Sequence, residues 1–348
     1  MRRNGYDPYH GRSRGRTALK ILIVILLVAL ALSVAALLFL EPYIRYSSDG
    51  VRVELPPIFQ SGGETEPDEP AGSVPIQVVT PEPTPTPTPE PEETFRGLSL
   101  SLEKLEQADT LLEEAGATAA ILPVKTEEGS LNYQSQTTWG TSSTQTGIND
   151  TITDFTGGDL YTAAYLSCFR DNTLPRTDRA LSIHSSSGNW WDDKQVRWIS
   201  PLSEQARAYV VQVCAETAAL GFDELILDSC SFPDRGTVSA IKTDSNYASD
   251  ARTQTMETFF QELETALKDY PELKLSVVTS LEVLRGEDDG SGLTLELLER
   301  YADRVLVALP EGETAPELDG LEVVPIVTAG AETGSWAILE QKTGETAE

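Results

Sequence analysis

The sequence predicts an α/β protein whose main domain is a (β/α)8 barrel, a TIM-like fold, preceded by a single transmembrane helix and a proline-rich linker. Three observations support the barrel. Residues 95–348 number 254, close to the ~250 typical of this fold. Short apolar runs alternate there with helical patterns, as in repeated parallel βα units. The best-defined run ends on a carboxylate, and barrels bind ligands at the carboxyl ends of their strands.

The chain begins with a basic tail and an apolar segment. Residues 1–20 hold six basic residues and one aspartate, which gives them a formal charge of +5. Because the whole chain has a net charge of −29, the remaining residues carry −34. Residues 21–40 are uncharged, and at about 1.5 Å per residue they span the ~30 Å hydrocarbon core. The alternative is a cleaved signal peptide, whose apolar region is usually shorter, about 7–15 residues. The basic flank predicts a single-pass cell-membrane anchor with a cytoplasmic N-terminus and an extracytoplasmic C-terminal domain.

A stem and a linker follow the apolar segment. Residues 41–58 contain two short strand-like runs around Ser-Ser-Asp-Gly, which fit either a small hairpin or an irregular stem. Residues 59–94 consist mostly of Gly, Glu, Pro, Ser and Thr, with alternating prolines over 81–91. Alternating proline favours extended polyproline II, so we interpret this segment as a semi-rigid spacer.

Composition restricts the ligands of the domain. Its acidity argues against nucleic acid, whose phosphates require Lys and Arg. Three cysteines and two histidines without ligand spacing argue against a zinc site, and no phosphate-binding or dinucleotide-binding glycine motif is present, so no metal or cofactor is expected. Cys168 and Cys230 both end predicted adjacent strands, which leaves buried free thiols or a disulfide open.

Eight apolar runs are predicted to be the barrel strands: residues 97–100, 119–124, 160–168, 225–228, 273–279, 305–309, 321–327 and 336–339. Helices are predicted after Ser101, over 202–220, after Ser249 and over 293–301. Residues 310–321 are predicted to be only a loop. Either the units after strands six and seven have no helix or a very short one, or the strand count is wrong.

The most informative stretch joins a helix to the fourth strand. Apolar residues recur at helical spacing up to Leu220, and Gly221 suits the left-handed turn after a helix. Residues 225–227 are wholly apolar, as expected of a strand buried on both faces. Asp228 ends this run, and Pro233 closes the segment.

This stretch resembles a family of glycoside hydrolases with a TIM-barrel fold, distantly similar to α-amylases. Gly-Phe-Asp-Glu at 221–224, the apolar run, Asp228 and Phe-Pro at 232–233 match the family pattern. Trp198, Pro201 and Tyr209 also fall where the family has Trp, Pro and Tyr. The family pattern around the aspartate is Asp-Tyr-x-Arg-Phe-Pro, and this chain has Ser229 and Ser231 at the Tyr and Arg positions.

The resemblance implies a carboxylate mechanism of glycoside hydrolysis. It implies that Asp228 is a nucleophile or a transition-state stabiliser. Barrels similar to α-amylases often take their acid from the end of strand five, which makes Glu282 its candidate partner. The structural alternatives are an Asp228 that bonds its own loop and a solvated Glu282 beside Arg285.

Four further side chains are candidates for substrate binding. Trp190 and Trp191 lie in the long insertion after strand three, where indole rings could stack on sugars or anchor their own loop. Lys125 and Arg170 sit at strand ends, where they could line the barrel mouth or form salt bridges.

Two functions therefore remain as hypotheses. The first is a membrane-anchored hydrolase acting on a polysaccharide of the cell envelope or cell wall, and the second is an inactive barrel that binds carbohydrate or protein. The separation of the carboxylates at the mouth distinguishes the two.

Overall fold

Eight parallel strands close into a barrel between residues 94 and 339. The structure is a computed structural model that describes residues 44–47, 50–53 and 94–339. The barrel strands are β1 (Arg96–Ser99), β2 (Ala119–Lys125), β3 (Tyr161–Ser167), β4 (Glu224–Asp228), β5 (Lys274–Thr279), β6 (Arg304–Ala308), β7 (Glu322–Ile326) and β8 (Trp336–Ile338). All eight predicted strands are confirmed.

The barrel closes because its first strand pairs with both the second and the last. Each strand is parallel to its neighbour in sequence, and β8 pairs with β1, with Ala337 opposite Gly97. A short extension continues the sheet beside β2, where Ser130–Leu131 pairs antiparallel to it and Thr141–Ser142 pairs with that strand. His184–Ser185 and Gly188–Asn189 form a separate small hairpin.

Helices cover only part of the barrel wall. They are α1 (Ala108–Ala115), α2 (Ile148–Thr156), α3 (Leu174–Thr177), α4 (Glu204–Ala218), α5 (Arg252–Leu267), α6 (Leu281–Leu284) and α7 (Leu295–Tyr301). Short 3-10 turns span Leu102–Gln107, Arg179–Leu181, Val238–Ala240 and Ser249–Ala251. Among the described residues, no helix follows β6 or β7, as predicted, so the barrel has eight strands with two reduced units.

Two predicted helix starts differ from the structure. The side chains of Ser101 and Ser249 make no capping hydrogen bond, and each precedes or opens a 3-10 turn. The α-helices begin several residues later, at Ala108 and Arg252, because a serine before an apolar periodicity marks a turn as readily as a cap.

The helix before β4 has the caps that its sequence predicts. Ser203 accepts a hydrogen bond from the Ala206 amide at 3.3 Å, which satisfies an open N–H of the first turn of α4. Beyond the helix, Gly221 has φ +89, a conformation that costs glycine little. A side chain there would meet the Thr156 hydroxyl at 2.9 Å. The chain therefore reverses tightly and delivers β4 to the centre of the sheet.

Alternate residues of each strand face the lumen and the helices. In β4, Leu225 and Leu227 pack in the helix-side core, while Ile226 packs in a separate lumen cluster with Ile121, Leu306 and other apolar residues. Because the side-chain period of a strand is two, Glu224, Ile226 and Asp228 share the lumen side. Residues at the carboxyl ends of the strands are therefore held above an apolar layer.

A buried ionic network lies at the opposite, amino end of the lumen. Glu224 is fully buried and accepts hydrogen bonds from the hydroxyls of Tyr161 at 2.7 Å and Ser276 at 2.5 Å and from Arg304. Arg304 also binds Glu322 at 2.7 and 2.9 Å, and its guanidinium stacks on Phe95 at 4.0 Å. Pairing and hydrogen bonding offset the cost of burying these charges.

The described residues nearer the N-terminus form a separate unit. Ile44–Ser47 and Gly50–Val53 pair as an antiparallel hairpin, which is one of the two interpretations left open for the stem. The predicted transmembrane helix at 21–40, the basic tail and the linker lie outside the described residues. Within the residues that the structure describes, no helix has the length and apolar character needed to cross a bilayer.

Candidate active site

Asp228 lies at the carboxyl end of β4, where the chain leaves the barrel. It is partly buried, and the Tyr165 hydroxyl of neighbouring β3 donates a hydrogen bond of 2.5 Å to its Oδ2 atom. The Ser229 hydroxyl donates to Oδ1 at 3.3 Å. Burial, followed by the charge and hydrogen bond of Asp228, raises the pKa of the Tyr165 phenol. Tyr165 therefore keeps its proton and fixes the orientation of the carboxylate.

The backbone immediately after Asp228 is strained. Ser229 has φ +50, a left-handed conformation that is uncommon outside glycine and costs about 1–3 kcal/mol. Two hydrogen bonds support the turn, from the Cys168 amide to the Asp228 carbonyl at 2.8 Å and from the Phe169 amide to the Ser229 carbonyl at 3.1 Å. Such strain concentrates at functional sites because the surrounding structure must maintain it.

A cavity of about 700 Å³ opens above Asp228. We call it the mouth cavity. Its polar lining residues are Lys125, Thr126, Glu127, Tyr165, Ser167, Arg170, Lys194, Asp228, Ser229, Ser231, Asp234, Arg235, Thr279, Ser280, Glu282, Asp289, Ser291 and Thr328. The volume lies within the ~300–1,000 Å³ range of small-molecule sites.

Glu282 lines the same cavity as Asp228. It lies in α6, the one-turn helix after β5, whose first turn is capped by the Ser280 hydroxyl accepting from the Val283 amide at 3.2 Å. Glu282 is exposed, and its carboxylate has no hydrogen-bond or ionic partner among residues 94–339. The structure therefore brings the two candidate carboxylates to one cavity, with Asp228 held at the wall and Glu282 open to solvent.

Three other cavity carboxylates were missed by the sequence analysis, and each has a protein partner. Glu127 binds Arg170, and Asp234 binds Arg235 at 3.1 Å. Asp289 accepts hydrogen bonds from the Ser280 hydroxyl and the Ser291 amide. The positions of two of them in the sequence indicate the barrel mouth. Glu127 comes two residues after β2, and Asp234 directly follows the Phe-Pro of the motif.

Arg170 lines the cavity from the loop after β3 and is 3 % exposed. Its Nε donates to Asp192 at 2.6 Å, and its Nη1 binds Glu127. Burial alone lowers the pKa of Arg170, but the hydrogen bond and charge of Asp192, with the charge of Glu127, raise it overall. Its Nη2 is buried and has no hydrogen-bond partner within the described residues. The salt-bridge alternative for Arg170 is therefore present, and the Nη2 atom of its guanidinium has no partner among the described residues.

Lys125 borders the cavity but is fully buried. A β-bulge between Pro123 and Lys125 shifts the register, so that Lys125 pairs with Leu166, whose side chain faces the helices. Its ammonium donates to the Ser167 carbonyl at 2.6 Å and binds Asp171 at 3.1 Å. The geometry matches the salt-bridge alternative for Lys125.

The two tryptophans of the insertion have different environments. Trp190 is 3 % exposed, and its indole N–H donates to the Thr237 carbonyl at 3.0 Å, so this ring anchors the loop. Trp191 is 49 % exposed and lies 5.9 Å from the guanidinium of Arg197. Neither ring lines the mouth cavity.

Ser231 occupies the position where the resembled family has arginine. It lines the mouth cavity and is buried, and its hydroxyl donates to the carbonyl of Phe232 at 3.0 Å. The cavity nevertheless contains a guanidinium from the same loop, because Arg235 lines it four residues later. Cys168 and Cys230 are free thiols, so the disulfide alternative is not formed.

Comparison with known proteins gives one family match. A family model described as "Putative glycosyl hydrolase domain" matches residues 98–305, more than half of the chain. A search of curated protein sequences gave no match.

Solved structures with similar chain traces include glycoside hydrolases. A hypothetical protein from Ruminiclostridium thermocellum is 20% identical, with a TM-score of 0.44, covering 56% of this chain and 100% of its own. The glycoside hydrolase domain of PelA from Pseudomonas aeruginosa is 15% identical, with a TM-score of 0.39 and coverages of 67% and 83%. An alpha-galactosidase from Thermus thermophilus is 10% identical, with a TM-score of 0.38, and the match covers 61% of this chain and only 41% of that enzyme.

Proposed function

The chain belongs to the glycosyl hydrolase domain family, and on that premise we propose that its barrel hydrolyses a glycan of the cell envelope in the mouth cavity, with Asp228 as the essential carboxylate. The observation that carries the proposal is the setting of Asp228. The carboxylate faces the cavity from the end of β4, is oriented by the Tyr165 phenol and is followed by a strained turn. These features fit a group that must meet a ligand in a fixed orientation.

The reaction assigns a role to each carboxylate. Asp228 stabilises the positive charge that develops at the anomeric carbon, as the attacking nucleophile or as a neighbouring anion. Glu282 donates a proton to the departing glycosidic oxygen as the carbon–oxygen bond breaks, and water supplies the hydroxyl that completes hydrolysis. Separations of about 5–5.5 Å characterise retaining enzymes and about 6.5–9.5 Å inverting ones, so the anomer released reports the geometry in use.

A second candidate function is glycan binding without turnover. A general acid needs burial or a nearby carboxylate to hold its proton at neutral pH, and Glu282 is exposed. Ser229 and Ser231 also replace the Tyr and Arg of the family pattern. A barrel that kept Asp228 and lost its acid would still present a polar cavity to sugars.

We also propose that the barrel works outside the cytoplasm, attached to the membrane by residues 21–40. The uncharged apolar segment, its basic N-terminal flank and the proline-rich spacer support this arrangement. The arrangement would give the cavity access to polysaccharide of the envelope.

The test of the catalytic proposal is Asp228→Asn in the full-length protein. We expect turnover of envelope polysaccharide, measured as new reducing ends, to fall by roughly a hundredfold or more, while the melting temperature stays near that of wild type. The matched control is Asp269→Asn, which removes one exposed carboxylate from the turn before β5 and should change neither quantity.

Binding on a glycan array distinguishes the candidates. Wild-type binding without turnover, lost in Asp228→Asn, would select the binding function. Unchanged binding with destabilisation of about 1.5–3 kcal/mol would show that Asp228 serves the loop alone and would contradict both candidates.

A further inference from the structure

The mouth cavity is lined by an arginine whose guanidinium has one nitrogen without a hydrogen-bond partner among the described residues. Arg170 is held from behind by Asp192, which is itself buried and also accepts hydrogen bonds from the Trp198 indole at 3.1 Å and the Val196 amide at 3.0 Å. Burial alone raises the pKa of Asp192, but these hydrogen bonds, led by that of Arg170, lower it overall. The orientation of Arg170 is therefore fixed without its Nη2 atom, which is buried and unpaired among the described residues. A buried donor without an acceptor costs free energy unless a ligand supplies one.

A second arginine faces the same space. Arg235 lines the cavity, and its side chain is 41 % exposed. Burial lowers its pKa, but the charges of Asp234, Asp228 and Asp192 raise it overall. Arg235 in turn acts to lower the pKa of Arg170, after the larger effects of burial, Asp192 and Glu127. Both arginines line the mouth cavity together with Asp228, so one anion in that cavity can contact both guanidinium groups.

We infer that the glycan bound in the mouth cavity is acidic and places a carboxylate or phosphate group against Arg170 and Arg235. The inference rests on the proposed function, because it names the class of sugar that the same cavity takes. Arginine presents planar paired donors that match both anions, and charge-assisted hydrogen bonds of this kind are about twice as strong as neutral ones.

The carboxylates of the cavity do not remove the need for this anion. Glu127 binds Arg170, and Asp234 binds Arg235. Asp289 accepts hydrogen bonds from the Ser280 hydroxyl and the Ser291 amide. Asp228 accepts one from Tyr165. Glu282 is exposed and lies in α6, the one-turn helix after β5. The buried Nη2 donor of Arg170 thus has no acceptor among the described residues.

The test is a titration of the full-length protein with methyl glycosides of glucuronate and galacturonate, their neutral parents glucose and galactose, and glucose 6-phosphate. We expect an acidic sugar to bind about tenfold more tightly than its neutral parent, in a salt-sensitive manner. Arg235→Gln should reduce the affinity for the acidic sugar about tenfold and leave that for the neutral sugar unchanged. Arg285→Gln is the matched control, because Arg285 is also exposed and acid-paired, to Glu313, but does not line the cavity.

Arg170→Lys provides a second variant, since it keeps the charge and loses the paired donors. This variant should keep the melting temperature of wild type and selectively lower the affinity for acidic sugars. Preference for uronates assigns the anion as carboxylate, and preference for the phosphorylated sugar assigns it as phosphate.

Equal affinity for acidic and neutral sugars, or an Arg235→Gln affinity equal to wild type, would overturn the inference. If both kinds of sugar bind equally and Asp228→Asn abolishes turnover, the proposed function stands without the acidic specificity. If acidic sugars bind through Arg235 and no turnover occurs, the inference stands and the hydrolase proposal fails.

Discussion

At the scale of single residues, a hydrogen bond from Tyr165 orients Asp228 in the mouth cavity. The phenol comes from the lumen side of β3, and its hydroxyl reaches the carboxylate of the next strand at 2.5 Å. A carboxylate in such a contact is restricted in rotation and keeps one oxygen directed at the phenol. In the proposed function, Tyr165 is therefore a positioning residue that acts through Asp228.

Tyr165→Phe tests this role. Without the hydroxyl, Asp228 can rotate, so we expect glycan affinity or turnover to fall roughly tenfold, while stability changes by about 1 kcal/mol or less because solvent reaches the partly buried carboxylate. The comparison of glycan titration and thermal melting on one sample separates the two effects.

Tyr161→Phe is the matched control for that change. Tyr161 lies four residues earlier on β3 and also donates to a carboxylate, Glu224, but at the amino end of the lumen, away from the mouth cavity. It should leave glycan affinity unchanged. An equal functional loss in both variants would mean that Tyr165 acts through the stability of the barrel rather than through Asp228.

At the scale of elements, one large side chain of β8 packs in the helix-side core next to the reduced unit that precedes it. Trp336 of β8 is 1 % exposed and packs in the helix-side core, and its indole N–H donates to the Ala331 carbonyl at 2.9 Å. A Cβ atom on Gly330 would lie 2.6 Å from the indole, so the loop before β8 lies directly on the ring. One large side chain and a close loop thus cover the outer face where a helix would otherwise pack.

Trp336→Ala should therefore destabilise the barrel by about 3–5 kcal/mol, the usual cost of removing a buried aromatic side chain. Chemical denaturation monitored by circular dichroism measures this change. Trp191→Ala is the control, because its ring is 49 % exposed and the same substitution should alter stability by about 0.5 kcal/mol or less. Similar small losses in both variants would show that β8 contributes little to closure.

At the scale of the whole molecule, the barrel is a separate unit from the N-terminal segments. Chain contacts divide the protein at residues 86 and 87, and the closed strand order β1 to β8 lies entirely in the second unit. We expect a chain beginning at Phe95 to melt cooperatively and to resist limited proteolysis. If this shorter chain aggregates unless residues 41–58 are restored, the stem is part of the fold.

The proposed membrane topology gives a second prediction at this scale. If residues 21–40 span the membrane with the N-terminus inside, protease added to intact cells should cut in residues 59–94 and release the barrel. Immunoblotting of the supernatant measures the released fragment. Full protection of the protein, or a mature chain starting near residue 40, would contradict the anchored topology.

The sequence by itself determined the positions of the eight strands, the two reduced units and the family motif around Asp228. These features are local, because strand runs, helix periods and glycine turns depend on residues close together in the chain. The hairpin at Ile44–Ser47 and Gly50–Val53 was visible as one of two alternatives for the same reason.

Only the tertiary structure decided which side chains meet in the mouth cavity. Tyr165 and Asp228 are 63 residues apart, and their contact depends on the pairing of β3 with β4. The bulge in β2 turned Lys125 toward the helices, and burial of the loop after β3 withdrew Trp190 while leaving Trp191 exposed. Strand register, bulges and loop packing are set by contacts between distant residues, so a strand-end position in the sequence predicts the mouth of the barrel but not the direction of the side chain.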